Sequence, residues 1–353
     1  MTNNESVSLN GSTDPAEPRE IGLRFSSDAD TGIRRVGSGQ GFRYLDESGA
    51  PVKDEVVLAR IKSLVIPPAW TDVWICAHGN GHLQATGRDD RGRKQYRYHP
   101  TWRTHREDAK FDRVVDFGRV LPTIRERVEA DLHRHNLPRE KVLAAVIALL
   151  EQTRIRVGND EYARANKSYG LTTLRDRHVS PNSTSVKFTF RGKSGMAQQI
   201  TLHDRRLARI VKRCQDLPGQ RLFQYEDHDG ETHHVGSAEV NDYLRELAGA
   251  EFTAKDFRTW SGTVIAASVL RHFPLPESDA AGKRDMLAAV DTVADELGNT
   301  RAVARGSYIH PRVFSAYLDG SLQKIDPTKV VDPDPGGLED DERVVLGLLD
   351  SPF

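Results

Sequence analysis

Between residues 21 and 103 the apolar positions come in short runs cut by Gly and Asp. The stretches "GLRFSS", "GIRRVGSGQGFRYLDESGAPV" and "AHGNGHLQATGRDDRGRKQYRYHP" set β-branched and aromatic residues between turn formers, the pattern of short strands and hairpins. One helix is expected among them, at "KDEVVLARIKSLV". From about Thr104 the apolar spacing becomes helical. Helices are expected at 116–135 and at 138–155, where "LPREKVLAAVIALLEQTRI" opens with Pro138 in its first turn and carries a broad apolar face. Three more follow: 237–249, 254–273 behind a Thr253-x-x-Asp256 capping pattern, and 280–297, stopped by Gly298. Alternating runs in "SVKFTFRGKSGMAQQITL" interrupt the helices and predict a hairpin turning at Gly192-Lys193-Ser194-Gly195. The fold class is α+β: a small, mostly β N-terminal domain and a mainly α-helical second domain carrying one β-hairpin.

A chain of 353 residues exceeds what one hydrophobic core usually serves, so two domains are expected. Their bounds are read as 21–103 and 104–330, between a disordered acidic tail over 1–20 and a flexible acidic tail over 331–353. No apolar run approaches the ~18 residues of a membrane span, and the N-terminus has neither a basic start nor an apolar segment. A cytoplasmic protein, associated with the nucleoid if it binds DNA, is the expectation, with no membrane contact. Cys76 and Cys214 are the only cysteines, and the 13 histidines show no HExxH spacing. A disulfide framework and a Cys-based zinc site are thereby excluded, and a metal-free mechanism is favoured.

The net charge of -1 conceals a division. Residues 1–20 carry -3 and residues 331–353 carry -6, leaving +8 on 21–330. A basic body between acidic tails permits a polyanionic partner without establishing one.

Within that body, Arg88–Arg106 holds seven Arg and Lys interleaved with Tyr96, Tyr98 and Trp102. Arg91, Arg93 and Lys94 suit phosphates, and Gln95, Tyr96 and Tyr98 offer an amide and two rings; a solvated hairpin is the alternative. Arg154 and Arg156 close an apolar helix, where each needs an anion: either phosphate or a neighbour such as Glu151 or Glu161. Lys193 tips the hairpin, either solvated or free to reach a ligand. Lys255 and Arg258 lie one turn apart on a helix beside Trp260. Asn299 follows a helix stop and reads as a cap or a ligand-facing amide. Tyr308 follows a turn-forming Gly306-Ser307 pair and precedes His-Pro-Arg. Two near misses to a phosphate-binding P-loop, at Gly87 and at Gly192, lack its spacing, so no nucleotide cofactor is expected.

Arg156, Lys193, Arg258, Asn299 and Tyr308, in that order and within "IRVGN", "FRGK", "KDFRTW" and "SYIHP", closely resemble the type IB DNA topoisomerases, in their compact poxvirus-like and bacterial branch. "IPPAW" (66–70), "ATGRDDRGRKQYRYH" (85–99) and "GLTTLRDRHV" (170–179) extend the resemblance from about Ile21 to Gly320. It implies that Tyr308 attacks a phosphodiester of duplex DNA to form a 3'-phosphotyrosyl bond. It further implies that Arg156, Arg258 and Asn299 hold the nonbridging oxygens and that the hairpin Lys193 protonates the leaving 5'-oxygen. Where poxviral and eukaryotic relatives have His, this chain has Asn299, a neutral amide expected to keep the phosphate contact. Gln95, Tyr96 and Tyr98 are implied near the cleavage site, on an N-terminal domain that clamps the duplex, with the enzyme acting as a monomer.

The chemistry agrees with that assignment. A phenol of pKa about 10 needs positioning and cations to serve as a nucleophile at neutral pH. Arg gives a permanent charge and a planar fork, whereas Lys can give up a proton. A phosphotyrosyl ester conserves the energy of the broken bond, so resealing requires no ATP. Two other readings remain at this stage. A tyrosine recombinase shares the catalytic plan, but commonly shows His-x-x-Arg where this chain has Lys255-Asp-Phe-Arg258. A non-enzymatic DNA-binding module would need no ordered tyrosine.

Overall fold

The computed structural model describes residues 14–39, 41–90, 92–227, 229–330 and 337–350, with backbone only at 107–110 and 194. It divides into two compact units, 1–110 and 111–353.

The first unit begins with a helical turn, α1 (Glu17–Glu20). Glu17 there pairs with Arg106 at 2.9 Å, so residues 14–20 of the expected tail are folded. The strands β1 (Gly32–Ser38) and β2 (Gly41–Leu45), the helix α2 (Glu55–Ser63), and the strands β3 (Thr71–Cys76), β4 (Leu83–Arg88) and β5 (Lys94–Tyr98) follow. The strands form one antiparallel sheet in the order β2-β1-β3-β4-β5. Because side chains alternate along β3, Val73 and Ile75 join Ile61 of α2 and Trp70 on one face, while Trp74 and Cys76 pack with Leu83 on the other. Asp54 caps α2 by accepting from the amides of Val56 and Val57. The "IPPAW" words form a loop whose Pro67 and Trp70 carbonyls hold the Arg35 guanidinium.

Helix α3 (Pro100–Leu132) runs unbroken through the expected domain boundary at 103/104 and through the expected start at 116. Its first turns, "THREDAKFD", carry too many charges to show an apolar period. The second unit is built around α4 (Arg139–Thr153), in which every residue from Val142 to Leu150 is buried. An all-round apolar helix of this kind belongs at the centre of a core. Around it stand α5 (Asp160–Asn166), a three-stranded antiparallel sheet of β6 (Val179–Pro181), β7 (Val186–Arg191) and β8 (Ala197–Leu202), and α6 (Arg205–Gln215). A small hairpin of β9 (Gln224–Glu226) and β10 (Thr232–His234) leads to α7 (Ser237–Ala248), α8 (Ala254–Arg271), α9 (Asp279–Leu297), α10 (Arg301–Tyr308) and α11 (Pro311–Leu318). The capping box of Thr253 and Asp256 and the left-handed Gly298, φ 57°, sit where the sequence placed them.

The expectation of a flexible tail over 331–353 is overturned for residues 337–350. They contain α12 (Asp340–Asp350), which buries Val344, Val345, Leu346, Leu348 and Leu349 in the main core. Glu342 ties it down: its two oxygens take the Arg125 fork at 2.8 Å each, and one also accepts from the Trp260 indole at 3.0 Å. The acidic composition concealed an apolar stripe, and the buried acid has a half-buried cation. Among the described residues no helix is long and apolar enough to cross a membrane.

Candidate active site

Helix α4 stops at Arg154, whose φ of 56° turns the chain out of the helix. The following segment, 155–158, runs beside 170–173, with Leu171 donating to the Arg156 carbonyl at 2.9 Å and Thr172 to that of Val157 at 2.8 Å. Glycine is required at this crossing. A Cβ on Gly170 would come within 2.5 Å of the Arg156 carbonyl oxygen, and Gly158 adopts φ 103°. The two glycines of "IRVGN" and "YGLTT" thus fix the backbone from which Arg156 projects.

Arg258, on α8, is 4% exposed. Its guanidinium donates to the carbonyls of Leu297, at 2.7 Å, and Arg154. Arg156 donates to the carbonyl of Gly298 at 3.4 Å and to Oδ1 of Asn299. Both cations therefore rest on the end of α9, where carbonyls left unpaired by the helix gather negative potential. Neither finds a carboxylate among the described residues. Glu151 pairs instead with Arg125 at 2.6 Å, and Arg154 with Glu296 at 3.1 Å. Burial, then the charge of Arg258, pulls Arg156 down to about 10, leaving it a cation at neutral pH. Burial also lowers Arg258. Nε of Arg258 and Nδ2 of Asn299 are buried donors with no partner among the described residues. Asn299 is not the cap of α10; Thr300 is, accepting from the Val303 amide.

Helix α10 brings Tyr308 to these groups, and Gly306 and Ser307 lie inside it rather than in a turn. The backbone of Tyr308 lies against Gly262 of α8, where a Cβ would meet its carbonyl oxygen at 2.5 Å. The hydroxyl of Thr263, fully buried, accepts from the His310 amide at 3.1 Å and lies 3.4 Å from the Tyr308 carbonyl. The half-buried ring has the Arg258 Cζ 5.1 Å from its centroid. Burial pushes the Tyr308 phenol up, but Arg258, Arg156 and Lys255 together bring it below the usual tyrosine value. Tyr317 is the contrast: fully buried, donating to Asp285 at 2.7 Å and to Pro274 at 3.0 Å, and pushed up to about 12.

Strands β7 and β8 pair in register from Val186↔Leu202 to Arg191↔Ala197, with the exposed Lys193 in the connecting turn and Gly195 at φ 75°. Gln198 links this turn to the site. A Cβ on Gly192 would meet its Cγ at 3.1 Å, and one on Gly298 would meet its Nε2 at 3.2 Å. The root of the hairpin thus adjoins the turn that presents Asn299. Sequence reading did not find Gln198, Thr263 or the α9 carbonyls, since none has a chemistry that stands out before the chain is folded.

In the N-terminal unit, Arg91 lies outside the described residues. Arg93 pairs with Asp89 at 2.7 Å and Lys94 with Asp28 at 2.6 Å. Gln95 donates to Asp89 at 3.0 Å. Tyr96 and Tyr98 lie on one face of β5, their rings stacked 6.0 Å apart, and burial raises the Tyr98 phenol to about 12.

Residues 99–328 match the family model of the eukaryotic DNA topoisomerase I catalytic core, and residues 41–89 match that of the bacterial DNA topoisomerase IB N-terminal domain. DNA topoisomerase 1B of Acanthamoeba polyphaga mimivirus is 33% identical over 296 residues, 81% of this chain and 87% of that protein. DNA topoisomerase 1B of Vaccinia virus (strain Copenhagen) is 21% identical over 287 residues, covering 76% and 85%. DNA topoisomerase 1 of Rabbit fibroma virus (strain Kasza) is 22% identical over 268 residues, covering 70% and 78%. With its helical unit matched almost from end to end and a relative aligned along four-fifths of its length, this chain belongs to the type IB DNA topoisomerases.

Proposed function

We propose that the protein relaxes supercoiled duplex DNA by breaking one strand through Tyr308, letting it rotate and resealing it. The observation that carries this reading is a phenol beside a buried guanidinium, with two buried donors in the same cluster that have no partner among the described residues. The Tyr308 phenol gives its proton to solvent, its oxygen attacks the phosphorus, the bond to the 5'-oxygen breaks, and a 3'-phosphotyrosyl ester forms. Arg156, Arg258 and the Asn299 amide hold the nonbridging oxygens as charge accumulates on them. Lys193 gives its proton to the departing 5'-oxygen and takes it back on resealing, when the 5'-hydroxyl attacks the ester. The ester conserves the bond energy, so ATP is not needed, and the protein's own cations carry the phosphate charge in place of a metal ion. The N-terminal unit grips the same duplex through Arg91, Arg93, Lys94, Gln95, Tyr96 and Tyr98, so that a monomer acts as a clamp, working in the cytoplasm on the nucleoid.

The test is relaxation of a supercoiled plasmid without ATP or magnesium. The wild type is expected to give a ladder of topoisomers, and Tyr308→Phe neither relaxation nor covalent adduct, with DNA binding retained. An adduct mapping to Tyr317, or strict dependence on either cofactor, overturns the reading. Strand exchange between duplexes without relaxation would return the recombinase alternative.

A further inference from the structure

Away from the chemistry described above, a cleft of about 520 Å3 opens between α5, residues 169–175, the turn at 218–221 and the hairpin of β9 and β10. That size falls within the range of small-molecule sites. Gln224 lines it and is 1% exposed, yet neither Oε1 nor Nε2 of its side chain has a hydrogen-bond partner among the described residues. Buried amides are ordinarily satisfied, so an unpaired one in the wall of a cavity points to a ligand. The adjacent Gly219, at φ 128°, packs directly against this amide: a Cβ there would lie 3.0 Å from Oε1 of Gln224.

The lining is cationic. Arg164 is exposed and has no partner among the described residues. Among the described residues, the side chain of Arg175 donates to the neutral Gln220, at 3.0 Å. Arg221 is balanced by Asp160 at 2.7 Å. The ring of Tyr169 adds a flat wall.

We propose that this cleft binds a free mononucleotide. An unpaired glutamine amide offers one donor and one acceptor side by side, the complement of the N6 and N7 edge of adenine. Arg164 and Arg175 supply the charge for its phosphate. A side chain as buried as Gln224 cannot extend into a groove of intact duplex, so the base has to enter the cleft. The occupant would touch the 156–175 segment, whose first residue is the phosphate-holding Arg156, giving the nucleotide a route to modulate cleavage. The proposal is independent of the topoisomerase reaction and includes no covalent step.

The experiment is titration of the full chain with AMP, adenosine and inorganic phosphate, followed by calorimetry. One-site saturable AMP binding is expected, with adenosine and phosphate each weaker. Gln224→Leu and Arg164→Ala should each weaken AMP by about tenfold or more. Unliganded Gln224→Leu should melt no lower than wild type, because it loses an amide that has no partner. Absence of saturable binding up to about 1 mM, or unchanged affinity in both variants, overturns the proposal. AMP affinity unaffected by saturating short duplex supports a free nucleotide; competitive loss assigns the cleft to a DNA strand and overturns it.

Discussion

The guanidinium carbon of Arg258 stands 5.1 Å from the centre of the Tyr308 ring, and Arg258 is among the few fully buried charges of the described fold. A buried permanent cation at that place stabilises phenolate over phenol, against the effect of burial. The rate of single-turnover cleavage is therefore expected to rise with pH along a limb centred below the ordinary tyrosine value of 10.0. In Arg258→Ala the limb should move to higher pH, since the lowering charge is gone, and the plateau should fall by about 100- to 1,000-fold. A limb that stays in place would remove Arg258 from the tuning of the nucleophile.

Asn299 gives its oxygen to Arg156 and keeps a buried N–H2 without a partner among the described residues. Asn299→Asp would preserve the contact to Arg156 while replacing that donor with a negative charge facing the phosphate. It should therefore cleave more slowly than Asn299→Ala, although it is closer in shape to wild type. Equal rates for the two variants in a gel assay of covalent adduct would show that the amide donor does not reach the phosphate.

The cations of the N-terminal segment are occupied within the protein, Arg93 by Asp89 and Lys94 by Asp28, with 39% and 42% of their side chains exposed. Such surface pairs are worth at most about 1 kcal/mol, so DNA phosphates can displace them. Neutralising Arg91, Arg93 and Lys94 together is expected to weaken binding and reduce the slope of log affinity against log salt by about 0.9 per lost phosphate contact. An unchanged slope would mean that Arg93 and Lys94 stay on their carboxylates.

The Arg125 fork on Glu342 joins α12 to the core, and Glu342 is 8% exposed. Glu342→Ala leaves Arg125 with Glu151 and the Gly337 carbonyl and should cost about 1.5–3 kcal/mol of stability. Burial raises the Glu342 carboxyl, but the bonds and charge of Arg125 and the Glu339 amide bring it below its usual 4.5. A lowered acid stabilises the fold above that value and ceases to do so as pH falls through its folded pKa. The difference in Tm between wild type and Glu342→Gln should accordingly be full at neutral pH and shrink below pH 4.5. A difference constant down to pH 3 would assign the role of Glu342 to packing alone.

The helical core and the hairpin were legible because their signals are local: the apolar run 142–150, the Thr253 cap, the Gly298 stop and the turn at 192–195 each act within a few residues. The candidate site could be named from the sequence only as residue types in order, not as a geometry. Only folding brings the carbonyls of Arg154, Leu297 and Gly298 against two guanidiniums, or Gln198 between Gly192 and Gly298. Helix α12 was misread for a related reason. Its acids dominate the composition of the last residues, whereas the pairing of Glu342 with an arginine 217 positions away has no trace in the sequence.

Lys193 is exposed at the hairpin turn, while the root of that turn adjoins Gly298 through Gln198. An ammonium so placed can reach the departing 5'-oxygen or merely bind a phosphate, and the two roles differ in what a better leaving group does. As a general acid, its loss in Lys193→Ala should slow cleavage by about 100- to 10,000-fold. Replacing the 5'-oxygen of the substrate with sulfur, which leaves without proton assistance, should then restore most of the rate to Lys193→Ala. The same substrate should do much less for Arg258→Ala, whose defect lies in the charge on the nonbridging oxygens. Equal rescue of both variants in single-turnover cleavage would make Lys193 a phosphate ligand and require the proton to come from Arg156 or water.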